Sequence, residues 1–193
     1  MIDTLLEIYN LKDEKRTGWQ LRNIEEPESV AAHSWGTAFL SLNYAPGNLD
    51  TEKILKLAIA HDVAEAEIGD IAKRAVDAEA EFSEEEKEKL ERKAVNRYSQ
   101  ELGKQFLELW KEYEGRETEE AKFVKDMDLI NMCPQTLKYE KQKRYNPDEQ
   151  NENFQQYDNL DEFFATIKPR LNTDRGNKLF SEIKERYEEA KSS

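Results

Sequence analysis

The amino-acid sequence predicts an all-α protein, a helical bundle formed by one domain over residues 1–193. Apolar residues recur every three or four positions along most of the chain, which is the spacing of one face of an α-helix. The 7 glycines and 5 prolines mostly lie between these periodic stretches, where such residues end helices or form turns. A chain of 193 residues is long enough to bury a sizeable core in a single domain.

The N-terminal part is expected to form two helices around a long connection. Residues 2–13 form the first helix, and Ser29, after Pro27, is a suitable N-cap for a helix over about 29–44. Apolar side chains of this second helix recur at helical spacing: Val30, Ala31, Trp35, Ala38, Phe39 and Leu42. The sequence leaves open whether Trp35 and Phe39, like Trp110 further along, belong to the core or to an interface.

A third helix is expected over about 51–67, after a turn at Pro46-Gly47. Asp50 or Thr51 caps it, and Gly69 ends or bends it. Its buried side is expected to consist of five apolar residues: Ile54, Leu55, Ala58, Ile59 and Val63.

Five further helices are expected, over about 83–102, 104–113, 118–133, 160–168 and 174–190. The first of them begins with Ser83-Glu-Glu-Glu86, which has the pattern of a capping box. Pro134 either kinks the third of these helices or marks its end. The polar residues of 143–159 are typical of a loop.

Charge and composition exclude several classes of function. A formal net charge of −13 disfavours a DNA or RNA partner, although it does not exclude a small phosphorylated substrate. No apolar run is long enough to cross a bilayer, and the N-terminal stretch lacks the basic region of a signal peptide. The single cysteine, Cys133, cannot form an internal disulfide. We therefore expect a soluble cytoplasmic protein with no membrane partner.

Both histidines of the chain lie in stretches that otherwise have the pattern of apolar helix faces. His33 lies in the second expected helix, and His61 is followed directly by Asp62 in the third. Asp128, in Asp126-Met-Asp128, lies on or beside the inward face of a more distant helix. Imidazole and carboxylate groups from separate helices can bind one divalent cation, and this set suits Mn²⁺, Co²⁺, Fe²⁺ or Mg²⁺ better than Zn²⁺.

Each of these residues also has an ordinary structural explanation. Asp128 can form a salt bridge with a nearby Lys or Arg, and His61 can be a hydrogen-bonded core histidine. However, Asp62, Glu65 and Asp70 crowd titratable groups around His61, and packing alone gives no reason for this. Carboxylates this close raise one another's pKa unless a cation neutralises them.

Trp19 lies in the connection before the second helix, between Arg16 and Arg22. It is either a core tryptophan or an aromatic wall for a base or sugar, with arginine nearby for a phosphate. Lys73 and Arg74 either add positive charge at the opening of the same binding site or are solvated.

The chain resembles a known family through these motifs. His33, His61-Asp62 and Asp128 reproduce the H…HD…D pattern of HD-domain metal-dependent phosphohydrolases. The context resembles HD domain-containing protein 2 and its prokaryotic relatives, a group of 5′-deoxynucleotidases, over roughly residues 5–140. Further matching segments are Arg16-Thr-Gly-Trp19, Arg22-Asn23, Pro27-Glu-Ser-Val30, Ala64-Glu65, Gly69-Asp70-Ile71, Leu109-Trp110, Tyr113-Glu114 and Ala121-Lys-Phe-Val-Lys125.

The resemblance implies an all-helical homodimer that hydrolyses deoxynucleoside 5′-monophosphates. It implies that four residues hold the metal: His33, His61, Asp62 and Asp128. It also implies that Glu65 acts with the attacking water, that Trp19 disfavours a ribose 2′-hydroxyl, and that Asp70 contacts the sugar 3′-hydroxyl.

The sequence departs from some bacterial members at one position of interest. Those members have an arginine directly before the tryptophan as a phosphate ligand, whereas this chain has Gly18. Arg16 and Arg22 are therefore the candidates for binding phosphate.

The resulting hypothesis is metal-assisted hydrolysis of a phosphomonoester, with Glu65 transferring a proton to water or to the leaving oxygen. Two alternatives stay open. The chain could act on another phosphate ester, such as a cyclic nucleotide or a nucleoside polyphosphate. It could also be a helical scaffold or nucleotide-binding module in which the polar cluster is structural.

Overall fold

The computed structural model describes residues 1–72, 83–149 and 157–192, and its regular secondary structure is helical. The α-helices of these ranges are α1 (Ile2–Tyr9), α2 (Thr17–Leu21), α3 (Val30–Tyr44), α4 (Thr51–Ala60), α5 (Glu65–Ile68), α6 (Glu84–Leu102), α7 (Lys104–Gly115), α8 (Glu119–Gln142), α9 (Asp161–Ile167) and α10 (Asp174–Lys191). Short 3₁₀ turns follow α1 and α9, at Asn10–Lys12 and Lys168–Arg170. The all-α prediction is confirmed.

Side chains at the predicted caps fix the starts of several helices. The Ser29 hydroxyl accepts a hydrogen bond from the Ala32 amide at the start of α3, and the Asp50 carboxylate accepts one from Lys53 at the start of α4. Ser83 and Glu86 form the predicted capping box of α6. These bonds satisfy amides that have no partner inside the helix.

Helix α8 is the central element of the bundle. It contacts α3, α4, α7, α9 and α10, and buried residues lie around most of its circumference. Its polar residues Asp126, Asp128 and Asn131 are all buried. Because a buried polar group needs a partner, these three positions mark where polar side chains of other helices must meet α8.

Three predicted helix boundaries are wrong. The connection before α3 contains a short helix, α2. The helix predicted over 51–67 ends at Ala60, and a turn separates it from α5. The helix predicted to stop near Cys133 continues through Pro134 to Gln142. Within the predicted loop of 143–159, residues 150–156 lie outside the described residues.

The structure decides which side of α3 is buried, and it shows that the predicted buried side of α4 is partly wrong. Trp35 and Phe39 are 69% and 51% exposed, and Ile59, which was expected inside, is 64% exposed. The buried side of α3 instead consists of Val30, His33, Thr37 and Ser41. Trp110 lies in the core, as one of its two predicted alternatives required.

Among the described helices, none is both long and apolar enough to span a membrane.

Candidate metal centre and adjoining pocket

Three separate parts of the fold bring four polar side chains to one point. His33 lies in the first turns of α3, and its position follows from the Ser29 cap. His61 and Asp62 lie in the turn that ends α4, while Asp128 lies midway along α8. The structure therefore brings together the residues that the H…HD…D pattern singled out.

The atoms that face one another are those that usually bind metals. His33 Nε2 lies 2.9 Å from Asp128 Oδ1 and 3.6 Å from Asp62 Oδ2. His61 Nε2 lies 3.0 Å from Asp62 Oδ2 and 3.7 Å from Asp128 Oδ1. One ligand atom from each of His33, His61 and Asp62 lies within 4.8 Å of the other two. Such spacing is suitable for ligands of a single ion.

Two of these atoms are buried without a hydrogen-bond partner among the described residues, namely His61 Nε2 and Asp62 Oδ2. The other ring nitrogen of His61, Nδ1, donates to the Ala58 carbonyl at 2.8 Å, so Nε2 is the ring nitrogen that faces the two carboxylates. Unsatisfied buried polar atoms are costly unless something binds them. The donor set therefore fits a divalent cation.

Neighbouring charges keep both carboxylates ionised. Burial opposes the charged form of Asp62, but His61 and Arg16 outweigh it and hold the pKa of Asp62 below its ordinary value. Burial likewise opposes ionisation of Asp128, yet Lys125 and His33 hold its pKa well below the usual range. Two ionised carboxylates next to two imidazoles attract a cation.

The pKa of Glu65 is shifted in the opposite direction, towards the protonated form. Burial, reinforced by the negative charges of Asp62 and Asp70, raises the pKa of Glu65 well above its ordinary value. Its Oε2 atom is buried and has no hydrogen-bond partner in the described parts of the chain. A carboxyl group whose pKa is raised in this way is suited to general acid–base catalysis.

A pocket opens from this cluster to the surface. Six residues singled out from the sequence line it: Arg16, Trp19, Asp62, Glu65, Asp70 and Asp128. Arg16 Nη1 lies 2.7 Å from Asp70 Oδ1, 3.5 Å from Asp62 Oδ2 and 3.7 Å from Glu65 Oε2. Arg16 is therefore the predicted arginine that lies at the pocket.

Trp19 is a core residue that also lines the pocket. It is 1% exposed, its indole N–H donates to Glu28 at 3.0 Å, and its ring packs 4.0 Å from that of Phe163. The contacts with Glu28 and Phe163 fix the ring in place.

Arg22 was the second candidate for binding phosphate, but the structure does not place it at the pocket. The Arg22 guanidinium is buried, donates to the Asn159 carbonyl at 3.2 Å and stacks on the Tyr145 ring. It thus holds the chain near α9. The other suggested cations, Lys73 and Arg74, lie outside the described residues.

Sequence reasoning missed several pocket residues because they come from distant parts of the chain. Lys87, Lys125, Phe163 and Arg170 also line the pocket. Gly18 lies directly against this wall, since a Cβ at position 18 would lie 3.3 Å from the Phe163 ring. The C-terminal segment, which carried no recognisable motif, therefore supplies one side of the pocket.

Comparison with known proteins gives a consistent family assignment. Residues 8–168 match the HD domain family. The chain is 39% identical over 134 residues to 5′-deoxynucleotidase HDDC2 of Mus musculus, and 37% identical over 139 residues to 5′-deoxynucleotidase hdd1 of Schizosaccharomyces pombe. The matches cover 67% and 68% of this chain, and 65% and 68% of the respective relatives.

A solved structure supports the fold over nearly the whole chain. A conserved hypothetical protein from Pyrococcus furiosus superposes with a TM-score of 0.73 and 30% sequence identity, covering 96% of this chain and 99% of the other. The C-terminal helices are therefore part of a shared architecture.

Proposed function

The chain belongs to the HD domain family, and we propose that it is a metal-dependent 5′-deoxynucleotidase, a phosphoric monoester hydrolase. It hydrolyses deoxynucleoside 5′-monophosphates to deoxynucleoside and phosphate. The observation that carries this proposal is a pair of buried atoms, His61 Nε2 and Asp62 Oδ2, that form no hydrogen bond within the described residues. Asp62 also lines the adjoining pocket, together with Arg16. The mouse and fission yeast relatives are named 5′-deoxynucleotidases, which supports the substrate class.

We propose that one divalent ion binds between four residues: His33, His61, Asp62 and Asp128. Mn²⁺, Co²⁺, Fe²⁺ and Mg²⁺ suit this imidazole and carboxylate set better than Zn²⁺, because no thiolate is among the donors. When bound, such an ion stabilises negative charge on the phosphate and lowers the pKa of a coordinated water.

The residues around the ion then bind and orient the substrate. Arg16 offers a guanidinium to the phosphate, and its ion pair with Asp70 holds the guanidinium in the pocket. Glu65, whose pKa is raised by burial, holds a proton for the departing 5′-oxygen or takes one from water.

We propose that Trp19 and Asp70 face the sugar. The Trp19 ring is packed against Phe163 and cannot move aside easily, so it disfavours the extra hydroxyl of a ribonucleotide at the 2′ position. Asp70 lines the pocket, and its carboxylate, which Arg16 and the Thr17 amide hold in place, would accept a further hydrogen bond from the sugar 3′-hydroxyl.

The direct test is phosphate release from matched pairs of deoxyribo- and ribonucleoside monophosphates, with Mn²⁺, Co²⁺, Mg²⁺ or Zn²⁺. The panel includes dAMP, dCMP, dGMP, TMP, AMP, cyclic nucleotides and nucleoside polyphosphates. The proposal is supported if the protein releases phosphate preferentially from deoxynucleoside monophosphates and His33→Ala abolishes this activity. If the protein acted only on cyclic nucleotides or polyphosphates, it would be a different phosphohydrolase. If the purified protein bound no metal and released no phosphate from any of these substrates, it would be a scaffold.

We also propose a homodimer in the cytoplasm. Trp35 and Phe39 stack on each other on the exposed side of α3, next to the exposed Leu42, and a second copy would cover them. Sedimentation should give twice the 22.7 kDa chain mass, and Phe39→Lys should give the monomer.

Cell fractionation tests the proposed cytoplasmic location. We propose this location because the single cysteine is free and buried.

A further inference from the structure

The two oxygens of the Asp128 carboxylate have different surroundings. Oδ1 faces the histidines, at 2.9 Å from His33 Nε2. Oδ2 accepts two hydrogen bonds, from the Tyr113 hydroxyl at 2.6 Å and from Lys125 Nζ at 2.8 Å. Two donors therefore hold this second oxygen of the carboxylate.

These two donors also bond to each other. Lys125 Nζ donates to the Tyr113 hydroxyl oxygen at 3.0 Å. Because an ammonium group has donors only, Tyr113 must accept this bond and direct its own proton to Asp128. Lys125 thus sets the orientation of the Tyr113 hydroxyl, and both act on the same carboxylate oxygen.

Packing fixes Tyr113 in this position. It lies on α7, is 2% exposed and places its ring 5.2 Å from that of His61. Lys125 lies one turn before Asp128 on α8, with its side chain 12% exposed. Neither residue donates to a nitrogen or oxygen atom of His33 or His61 in the described hydrogen bonds, so their effect on the histidine cluster passes through Asp128.

We propose that Tyr113, with its hydroxyl oriented by Lys125, is a positioning residue that locks the Asp128 carboxylate so that Oδ1 stays directed at the cation site. The terminal torsion of an aspartate side chain has only a broad, roughly two-fold preference, so partners must fix its angle. Partners of this kind around ligating carboxylates typically change metal affinity by about 10–100-fold. This inference rests on the proposed metal centre.

The test is the affinity of the full chain for Mn²⁺, measured by the electron paramagnetic resonance signal of the free ion. Tyr113→Phe keeps the ring and removes only the hydroxyl, and it should weaken Mn²⁺ binding about 10-fold or more. The matched control is Tyr98→Phe, because Tyr98 is also buried and donates to a carboxylate, Glu7 at 3.0 Å, away from the pocket. It should leave the affinity unchanged.

Two further readouts separate positioning from a loss of folding. Tyr113→Phe should regain most of its kcat at saturating Mn²⁺, with an unchanged KM for the nucleotide. In the metal-free crystal structure of the variant, Asp128 Oδ1 should have turned away from His33. If the unmodified protein bound Mn²⁺ and Tyr113→Phe bound it with the same affinity, the role of Tyr113 would be overturned, but the proposed function would not. Absence of Mn²⁺ binding by the unmodified protein would overturn the proposed function and this inference together.

Discussion

Asn131 is the side chain that holds the His33 ring from the side opposite the cation site. Its amide nitrogen lies 3.0 Å from His33 Nδ1 and 3.2 Å from the His33 carbonyl oxygen. The fit is tight, because a Cβ on Gly36 would lie 2.3 Å from the Asn131 amide oxygen. The Asn131 amide thus fixes the orientation of the His33 ring, so that Nε2 points at the carboxylates.

Removing this amide should destabilise the protein. Asn131→Ala leaves the buried His33 Nδ1 without the amide that contacts it, which costs about 1–3 kcal/mol in the free energy of unfolding. Urea denaturation of the metal-free protein measures it. Asn96→Ala removes a comparable amide on the exposed side of α6 and should change stability by less than about 0.5 kcal/mol. Equal effects of the two substitutions would argue against the role of Asn131.

Cys133 allows a prediction about pH. Burial raises the pKa of the Cys133 thiol above its ordinary value, so the folded protein keeps the proton that the unfolded chain loses near pH 8.5. Stability should therefore fall as the pH rises above this value, because the unfolded state then binds fewer protons. At pH 8.5 a thiol reagent should label the native protein far more slowly than the urea-unfolded protein. Rapid labelling of the native protein would contradict the burial.

At this scale the sequence reveals polar residues that interrupt apolar stretches, but not the partners that hold them. His33, His61 and Asp128 stood out because packing alone did not require them. Tyr113 has the pattern of an ordinary core aromatic, and its hydroxyl contact with Asp128 becomes visible only when α7 and α8 lie side by side. Arg22 shows the opposite kind of error. It is close to Trp19 in the sequence, but its guanidinium binds the Asn159 carbonyl and does not line the pocket.

At the scale of elements, α8 shows why a proline is an unreliable end signal. Pro134 lacks an amide proton, which removes one hydrogen bond of the helix. Nevertheless α8 continues to Gln142, and Thr136, Tyr139 and Glu140 on the later turns are buried. Tertiary packing of these turns therefore outweighs the lost bond. The sequence alone contains no measure of that packing.

The exposed side of α3 has a similar explanation. A repeating apolar pattern predicts a helix, but it does not tell whether the apolar side faces the core or a partner molecule. Here the polar side with His33, Thr37 and Ser41 is the buried one, because it faces α8 and the cluster around Asp128. The site thus determines which side of the helix is turned inward.

Asp126 joins α8 to the start of α10, and its loss should loosen that junction. Its carboxylate accepts hydrogen bonds from the amides of Asn172 and Thr173, at 2.8 Å each, and from the Thr173 hydroxyl at 2.6 Å. Asp126→Ala leaves these donors without their partner and should lower the free energy of unfolding by about 1–3 kcal/mol. Chemical denaturation tests this.

The matched control for that substitution is Asp174→Ala, on the exposed first turn of the same helix α10. It should cost less than Asp126→Ala, since surface substitutions usually stay within about 0.5 kcal/mol. If both variants lost equal stability, the junction would not depend on Asp126.

At the scale of the whole molecule, cation binding should stabilise the fold, since the site joins α3, α8 and the turn after α4. An ion at 100 times its dissociation constant adds about 2.7 kcal/mol to the free energy of unfolding, or roughly 5–10 °C in Tm. Differential scanning calorimetry with Mn²⁺ and after chelation measures this shift. His33→Ala should abolish most of it, whereas an equal shift in that variant would place the ion elsewhere.

The fold class could be predicted from the sequence because helix caps and apolar spacing are local signals, and Ser29, Asp50 and Ser83 all act as predicted. The pocket could be predicted only in part. Its N-terminal side follows recognisable motifs, whereas the side formed by Phe163 and Arg170 depends on how α9 packs against Trp19. No short-range pattern determines that packing.

The most direct test of the central claim is an anomalous difference map from crystals of the full chain grown with Mn²⁺, collected at the manganese edge. The account predicts one strong peak among His33, His61, Asp62 and Asp128. A peak bound by other residues, or no peak here in protein that binds Mn²⁺ in solution, would contradict it.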